Sequence, residues 1–324
     1  PEVGYDQALI NFAFRALPVI IFFSSLIAAT YHLGVIQIII KNIAKVMEKT
    51  MKTSGAETLS ISANIFVGQT EAPILIRPYI SKMTNSELMT VMVGGFSTVA
   101  GSVMALYVTW LNNIPEIAGH LLAASVMSAP AALMVAKIIY PETKSYQIIN
   151  SNSIKLKSQD NNLVDAIGRG ATDGLKLAAN VAAMLIAFIS LVAMINFILS
   201  LLGTSMQEML GLLFKPLAWT MGIPWADAKI VGTLMGEKIV LTELIAFRDL
   251  SDYVSNNTIS ERSVIIASYA LCGFANFGSI GIQLGGIGSM APKRKKDLSK
   301  LVFKAMLGGA IASWLTASIV GILI

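Results

Sequence analysis

The sequence predicts an all-α polytopic membrane protein, built as an inverted repeat with two re-entrant helical hairpins and discontinuous transmembrane helices. Three observations carry this prediction: apolar runs of bilayer length, polar and Gly/Pro breaks inside some of them, and the recurrence of the same order of segments in both halves. Of the 324 residues, 55% are hydrophobic and only 13% charged. The mean hydropathy is +0.68, above what a soluble domain requires. Runs at 16–31, 88–111, 117–140, 175–202, 264–287 and 301–324 approach or exceed the ~20 residues needed to cross a bilayer.

The elements follow in order. The first span, 16–31, is followed by Val35–Met51, where Lys41, Lys45, Lys49 and Lys52 recur at helical spacing. That spacing predicts an amphipathic helix lying along the membrane surface. Segment 57–80 is apolar on both flanks and broken by Gly68-Gln69-Thr70-Glu71-Ala72-Pro73, so it must leave and return on one side as a hairpin. Backbone groups freed by such a break are tolerated at depth only inside protein or facing a cavity. Spans 88–111 and 117–140 follow, then a polar linker over about 141–165, then span 175–202. Segment 225–249, with Lys238 and Thr242-Glu243 inside it, is the second interrupted segment; 264–287 and 301–324 complete the chain.

The whole of 1–324 reads as one transport domain, with a first repeat at about 8–140, a cytoplasmic linker at about 141–170 and a second repeat at about 171–324. Thr70-Glu71 corresponds to Thr242-Glu243, Ser86-Glu87 to Ser260-Glu261, and Gly95-Phe96-Ser97-Thr98 to Gly273-Phe274-Ala275-Asn276. Repeats of opposite orientation with paired broken helices are the architecture of secondary transporters, whose site lies between the repeats. The basic clusters Lys41/Lys45/Lys49/Lys52, Lys144/Lys155/Lys157/Arg169 and Lys293–Lys296 then all fall on the cytoplasmic side, as the positive-inside rule requires. The net charge of +5 is therefore topological, and no aromatic-interleaved basic face suggests nucleic acid. The chain begins at Pro1 without an initiator Met, so further spans upstream are expected.

Other functions are disfavoured. Cys272 is the single cysteine, and His32 and His120 stand far apart, so disulfides and a zinc or haem site are not expected. The G-x-G-x-x-A run at 286–291 follows a membrane helix and no strand, which removes a dinucleotide reading. No phosphate-binding loop or paired nucleophile and base points to an ATPase or another enzyme. The small-residue pairs Gly170/Gly174, Gly232/Gly236 and Gly281/Gly285 suggest close helix packing.

Glu71 and Glu243 carry the chemistry, because a charge at a helix centre in a bilayer costs about 2.5–3.5 kcal/mol and faces a cavity with partners. A purely structural alternative pairs Glu243 with Lys238. Gln69, Thr70, Asn276 and Ser279 add uncharged donors and acceptors, and Phe274 beside Gly273 can stack on a flat ligand. Asn64 and Thr98, with the carbonyls of Val67 and Val99, supply the hard oxygens that a cation at a helix break requires. The set lacks an Arg clamp and suits a neutral, hydroxyl-rich solute.

GQTEAP at 68–73 and CGFANFGSIGI at 272–282, with GIPWADA at 222–228 and APKRKKD at 291–297, resemble the concentrative nucleoside transporter family across essentially the whole chain. The resemblance implies a homotrimeric, sodium- or proton-coupled nucleoside symporter with an elevator-like transport domain. It is expected in a bacterial cytoplasmic membrane, with its core beginning about where this sequence does. It implies that Gln69, Thr70 and Glu71 address the nucleobase with Val103 nearby. Glu243, Asn276 and Ser279 would hold the ribose, with Phe274 lining the pocket. Asn64, Val67, Thr98 and Val99 would bind sodium. Where the family reads Asn-Glu-Phe, this chain has Thr242-Glu243-Leu244. A proton-coupled carrier and a channel remain as alternatives.

Overall fold

The computed structural model describes residues 17–143, 154, 156 and 160–324, apart from the side chains at 17, 181, 184, 185, 188 and 189. Lys144, Lys155 and Lys157 of the middle basic cluster, and the start of the first repeat at 8–16, lie outside the described residues. The described chain is helical throughout its regular elements.

The first half begins with α1 (Leu17–His32) and turns by 75° into α2 (Val35–Met51). Gly34, at φ 86°, makes that turn. The interfacial helix matches its predicted bounds. Its buried residues, Ile36, Gln37, Ile40, Ala44 and Met47, lie on one stripe, and the lysines lie off it.

The first hairpin descends through α3 (Gly55–Asn64) and returns through two short turns, α4 (Glu71–Ile74) and α5 (Arg77–Ile80). Ser54 caps α3 in a capping box with Glu57. Lys137 forms a 2.8 Å ion pair with the buried Glu57 and so ties the hairpin to a later span.

Next come α6 (Asn85–Ser97), an extended break at Thr98 and Ala100, α7 (Gly101–Trp110) and α8 (Ile117–Ile139). The second half repeats this order. It comprises α9 (Leu163–Ser200), α10 (Met206–Thr220), hairpin legs α11 (Ala228–Val240) and α12 (Glu243–Ser255), then the broken pair α13 (Glu261–Leu271) and α14 (Phe277–Met290). A single 3₁₀ turn at Pro292–Arg294 leads into α15 (Lys295–Leu323).

Several expectations change in detail. Helix α9 starts at Leu163, inside the expected linker. Asn162 caps it, accepting the Asp165 N–H at 2.9 Å, and Gly170 and Gly174 let it pack backbone-close on α1. At 38 residues it is about 57 Å long, more than a bilayer thickness. Among the described residues, three stretches are long and apolar enough to span: Asn85–Trp110, Ile117–Ile139 and Pro292–Leu323; α1 and α2 pass the same test only when taken together, across their 75° bend. The span at 264–287 is discontinuous, as its Gly273–Asn276 stretch predicts: residues 272–276 leave helical geometry and divide it into two short helices. Gly232 and Gly236 do sit against α10, but a side chain on Gly281 or Gly285 would meet nothing within 4 Å, so that pair does not serve close packing within the chain.

One core cluster joins α7 and α8 to the second hairpin and α13. Another joins α2 and the first hairpin to α6. Helix α15 contributes to both, packing along α6, α8 and α13.

Candidate functional site

The site forms where the two broken helices cross. Gly273 has φ 135°, and a Cβ there would lie 2.8 Å from the Phe96 carbonyl oxygen and 2.9 Å from the Ser97 carbonyl carbon. The break after α13 therefore rests on the end of α6, an approach that only glycine permits. The Phe66 carbonyl accepts the Gly101 N–H at 3.1 Å, which joins the first hairpin tip to the first break. Two hairpin tips and two breaks thus converge.

On the second-hairpin side, Thr242 caps α12 through its hydroxyl, and Glu243 occupies the first helical position. The helix N-terminus there favours a carboxylate. Glu243 is only 5% exposed. Its Oε2 accepts from Asn276 Nδ2 at 2.8 Å and its Oε1 from the Tyr107 hydroxyl at 3.2 Å. The Tyr107 ring stacks on Phe247 with centroids 4.0 Å apart. Asn276 also caps α14, its Oδ1 accepting the Ser279 N–H at 2.8 Å. Asn276 therefore orients α14 and Glu243 together. The alternative partner, Lys238, is fully buried and donates to the Ala270 carbonyl at 2.9 Å; no described ion pair joins it to Glu243.

On the first-hairpin side, Gln69 Nε2 donates to Ser279 Oγ at 3.1 Å, and Gln69 Oε1 accepts from Gln283 Nε2 at 3.2 Å. Gln283 also donates to the Met92 carbonyl at 3.0 Å. Thr70 packs against Gly286, where an added Cβ would lie 2.5 Å from Thr70 Cγ2. Gln69 and Thr70 thus face α14, and Ser279 joins them to Asn276 and Glu243. Glu71 does not join this cluster. It is exposed and accepts the N–H of Gly68 at 3.0 Å. Phe274 is half-buried against the second-hairpin core, and Val103 is buried one helical turn before Tyr107.

The expected cation ligands also gather at the breaks. Asn64 is fully buried at the end of α3, and neither its Oδ1 nor its Nδ2 has a hydrogen-bond partner. Burying an unpaired amide is costly, so an unpartnered Asn64 fits a ligand-holding position. Gly94 lies beside it and close against Ile61 of the same helix α3: a Cβ added to Gly94 would lie 2.6 Å from Ile61 Cγ1. The Thr98 hydroxyl donates to the Gly94 carbonyl at 3.2 Å, which leaves its lone pairs available. Val67, at the first hairpin tip, and Val99, inside the first break, are buried.

Sequence reasoning missed Tyr107, Phe247 and Gln283. Gln283 carried a usable signal, since it lies one helical turn beyond Ser279 in an otherwise apolar run. Tyr107 and Phe247 carried none, because nothing in their local sequence sets them apart from aromatic residues that only fill a core.

Residues 120–321 match the family model described as "Na+ dependent nucleoside transporter C-terminus", and residues 13–114 match the one described as "Nucleoside recognition". The "Sodium/nucleoside cotransporter 1" of Rattus norvegicus is 43% identical over 98% of this chain and 52% of its own length. The chain thus spans about half the length of the curated mammalian relatives it matches. An "Uncharacterized transporter" of Haemophilus influenzae is 43% identical over 97% of this chain and 76% of its own. The structure of CNTnw in an inward-facing substrate-bound state superposes with a TM-score of 0.90 at 43% identity, covering 98% of this chain and 76% of that one. With the crossed breaks and paired hairpins described above, these matches make the chain a member of the concentrative, sodium-dependent nucleoside transporter family.

Proposed function

We propose that this protein is a sodium-coupled nucleoside symporter that imports nucleosides by alternating access. It works as a homotrimer in the cytoplasmic membrane of a bacterium. The single observation that carries the reading is the linked cluster Gln69–Ser279–Asn276–Glu243, buried where two hairpin tips meet two broken helices. Its carboxylate and amides suit neutral hydroxyls, and no guanidinium belongs to it. In this reading Glu243, Asn276 and Ser279 hold the ribose hydroxyls. Gln69 and Thr70 address the base with Glu71 at the same tip, and Val103 and Phe274 line the pocket.

Asn64 and Thr98, with the carbonyls of Val67 and Val99, take the sodium ion. A neutral, unpartnered amide can bind a cation but cannot carry a coupling proton, which favours sodium over protons. A cation at these breaks draws the first hairpin tip onto the end of α6 and thereby favours the closed substrate site, which couples the two ligands. Relatives named as sodium/nucleoside cotransporters support both ligands. The division into repeats at about 8–140 and 171–324, joined by a linker, belongs to the same proposal, with α9 beginning before the second boundary.

Uptake of radiolabelled uridine into proteoliposomes, with an inward sodium gradient or matched potassium, tests this reading. Sodium-driven accumulation against a gradient is expected. Equal uptake in both salts that follows a pH gradient would replace the ion. Ion flux without substrate would replace the carrier with a channel.

A further inference from the structure

At 3.6 residues per turn, the side chains of α2 sort into three faces about a third of a turn apart. The first is the buried stripe, which rests on the first hairpin. Ile36, Ile40 and Ala44 share a core with Ala56, Leu59 and Ala63 of α3. Met47 packs with Ile61 and Ile65, and its sulfur accepts the Ser62 hydroxyl at 3.8 Å. The second face is also apolar but points outward: Val35, Ile39 and Val46 are all exposed. The third carries Lys41, Lys45, Lys49 and the capping Lys52, with Ile38 among them. Lys45, Lys49 and Lys52 are exposed and Lys41 is half-buried. Together they set four lysines against Glu48, the single acidic residue of α2. Other basic residues of the protein are matched: Lys137 pairs with Glu57, Lys229 with Glu208 and Arg294 with Asp297. Among the described residues, Lys41, Lys45 and Lys49 enter no ion pair.

We propose that the outer side of α2 is a seat for anionic phospholipids, whose headgroup phosphates lie on the lysine row and whose acyl chains lie against Val35, Ile39 and Val46. A helix with one apolar stripe on its own protein and a second facing outward meets acyl chains with the second. Each ammonium offers three donors at the end of a stem that can lie along apolar surface, so the row reaches the headgroup level. Polybasic segments beside a bilayer draw anionic lipids in this way. The two outer faces adjoin, so one amphipathic molecule satisfies both, whereas a free phosphate would meet only the lysines. From Lys41 to Lys52 the row runs about 16 Å along the membrane surface. The seat lies one helix away from the proposed sodium ligands, because α2 rests on α3 and α3 ends at Asn64. A lipid that holds α2 therefore braces the leg that positions Asn64. The seat itself needs only the membrane placement of α2; its effect on transport rests on the nucleoside reading.

The test compares wild type with the double variant Lys45→Gln/Lys49→Gln, its conservative counterpart Lys45→Arg/Lys49→Arg, and Lys293→Gln/Lys296→Gln at the turn into α15. The Tm of each protein is measured in a neutral detergent with added phosphatidylglycerol, phosphatidylcholine or inorganic phosphate. Phosphatidylglycerol is expected to raise the wild-type Tm by about 4 °C more than phosphatidylcholine does, and inorganic phosphate to leave it unchanged. The glutamine pair in α2 should lose at least about half of that increment, with the same Tm in detergent alone; the arginine pair and the glutamine pair at 293 and 296 should keep it. An unchanged increment in Lys45→Gln/Lys49→Gln overturns the seat. So does an equal loss in Lys293→Gln/Lys296→Gln, or a rise with inorganic phosphate as large as that with the lipid. Sodium-driven uridine uptake is then compared in phosphatidylcholine vesicles with and without about one-third phosphatidylglycerol. The anionic lipid is expected to speed wild-type uptake by about threefold and the α2 glutamine pair much less. Equal wild-type rates in the two vesicles overturn the bracing of the hairpin. Absence of uptake in both, with the Tm pattern intact, removes the nucleoside reading and keeps the seat.

Discussion

The two hairpins carry the same Thr-Glu pair at their tips, yet their carboxylates occupy opposite environments. Glu243 is buried and doubly hydrogen-bonded by Asn276 and Tyr107, whereas Glu71 is exposed and holds only the Gly68 N–H of its own loop. An inverted repeat brings matching residues to non-equivalent surroundings, because one tip meets the start of α14 while the other also borders α1 and α9. A buried carboxylate must be fully hydrogen-bonded to persist, so Glu243 is fixed and fit for selective binding. An exposed one is free to change partners.

The largest expected effect comes from the buried member. Glu243→Ala strands the Asn276 amide and the Tyr107 hydroxyl, and truncating one partner of a buried charged hydrogen bond costs about 2–5 kcal/mol. Initial-rate uridine uptake at subsaturating substrate should fall by about 30-fold or more. Near-normal uptake by folded Glu243→Ala would erase the distinction between the hairpins.

Asn64→Leu preserves size but removes the unpartnered amide. The sodium concentration for half-maximal uptake should rise by about 10–100-fold, by analogy with lost metal-site groups. An unchanged sodium dependence would remove Asn64 from the cation site and leave its lack of partners without a role.

The two breaks differ as well. The second requires Gly273 at φ 135°, while Thr98 in the first is extended at φ −125°. Gly273→Ala should destabilise the protein by about 1–3 kcal/mol, read as a lower Tm in detergent, because the backbone conformation and the Phe96 contact both oppose a Cβ. Ala100→Gly, at the extended residue of the first break, should shift Tm less. Equal shifts would mean that the crossing of the breaks does not set stability.

The smallest effect belongs to Glu71→Gln. The amide oxygen can still accept the Gly68 N–H, so uridine affinity should change by no more than about fivefold. A loss as large as that of Glu243→Ala would restore the symmetry that the repeat suggests.

Much of this arrangement was legible in the sequence. Gly68–Pro73, Thr242-Glu243 and the Gly273–Asn276 stretch each marked a real break, since Gly, Pro and polar residues inside an apolar run interrupt a membrane helix and must be housed within protein. The lysine spacing fixed α2 over Val35–Met51. The start of α9 was obscured because Asn162–Gly174 is polar and Gly-rich like a linker; its glycines are there for the packing on α1. The exposure of Glu71 was hidden because repeat matching equates positions while burial depends on what each tip packs against. Tyr107 and Gln283 became visible only through contacts distant in sequence.

The proposed cation ligands lie at the first hairpin tip and the first break, beside the end of α6 on which the second break rests, so sodium and substrate are predicted to be thermodynamically linked. Titration of uridine into purified protein, in sodium and in matched potassium, measures that link directly. Sodium is predicted to tighten uridine binding by about 5–150-fold in the wild type, the usual range of coupling, and to have little effect in Asn64→Leu. Uridine affinity that is the same in sodium and potassium would contradict the crossing of the breaks as the seat of coupling.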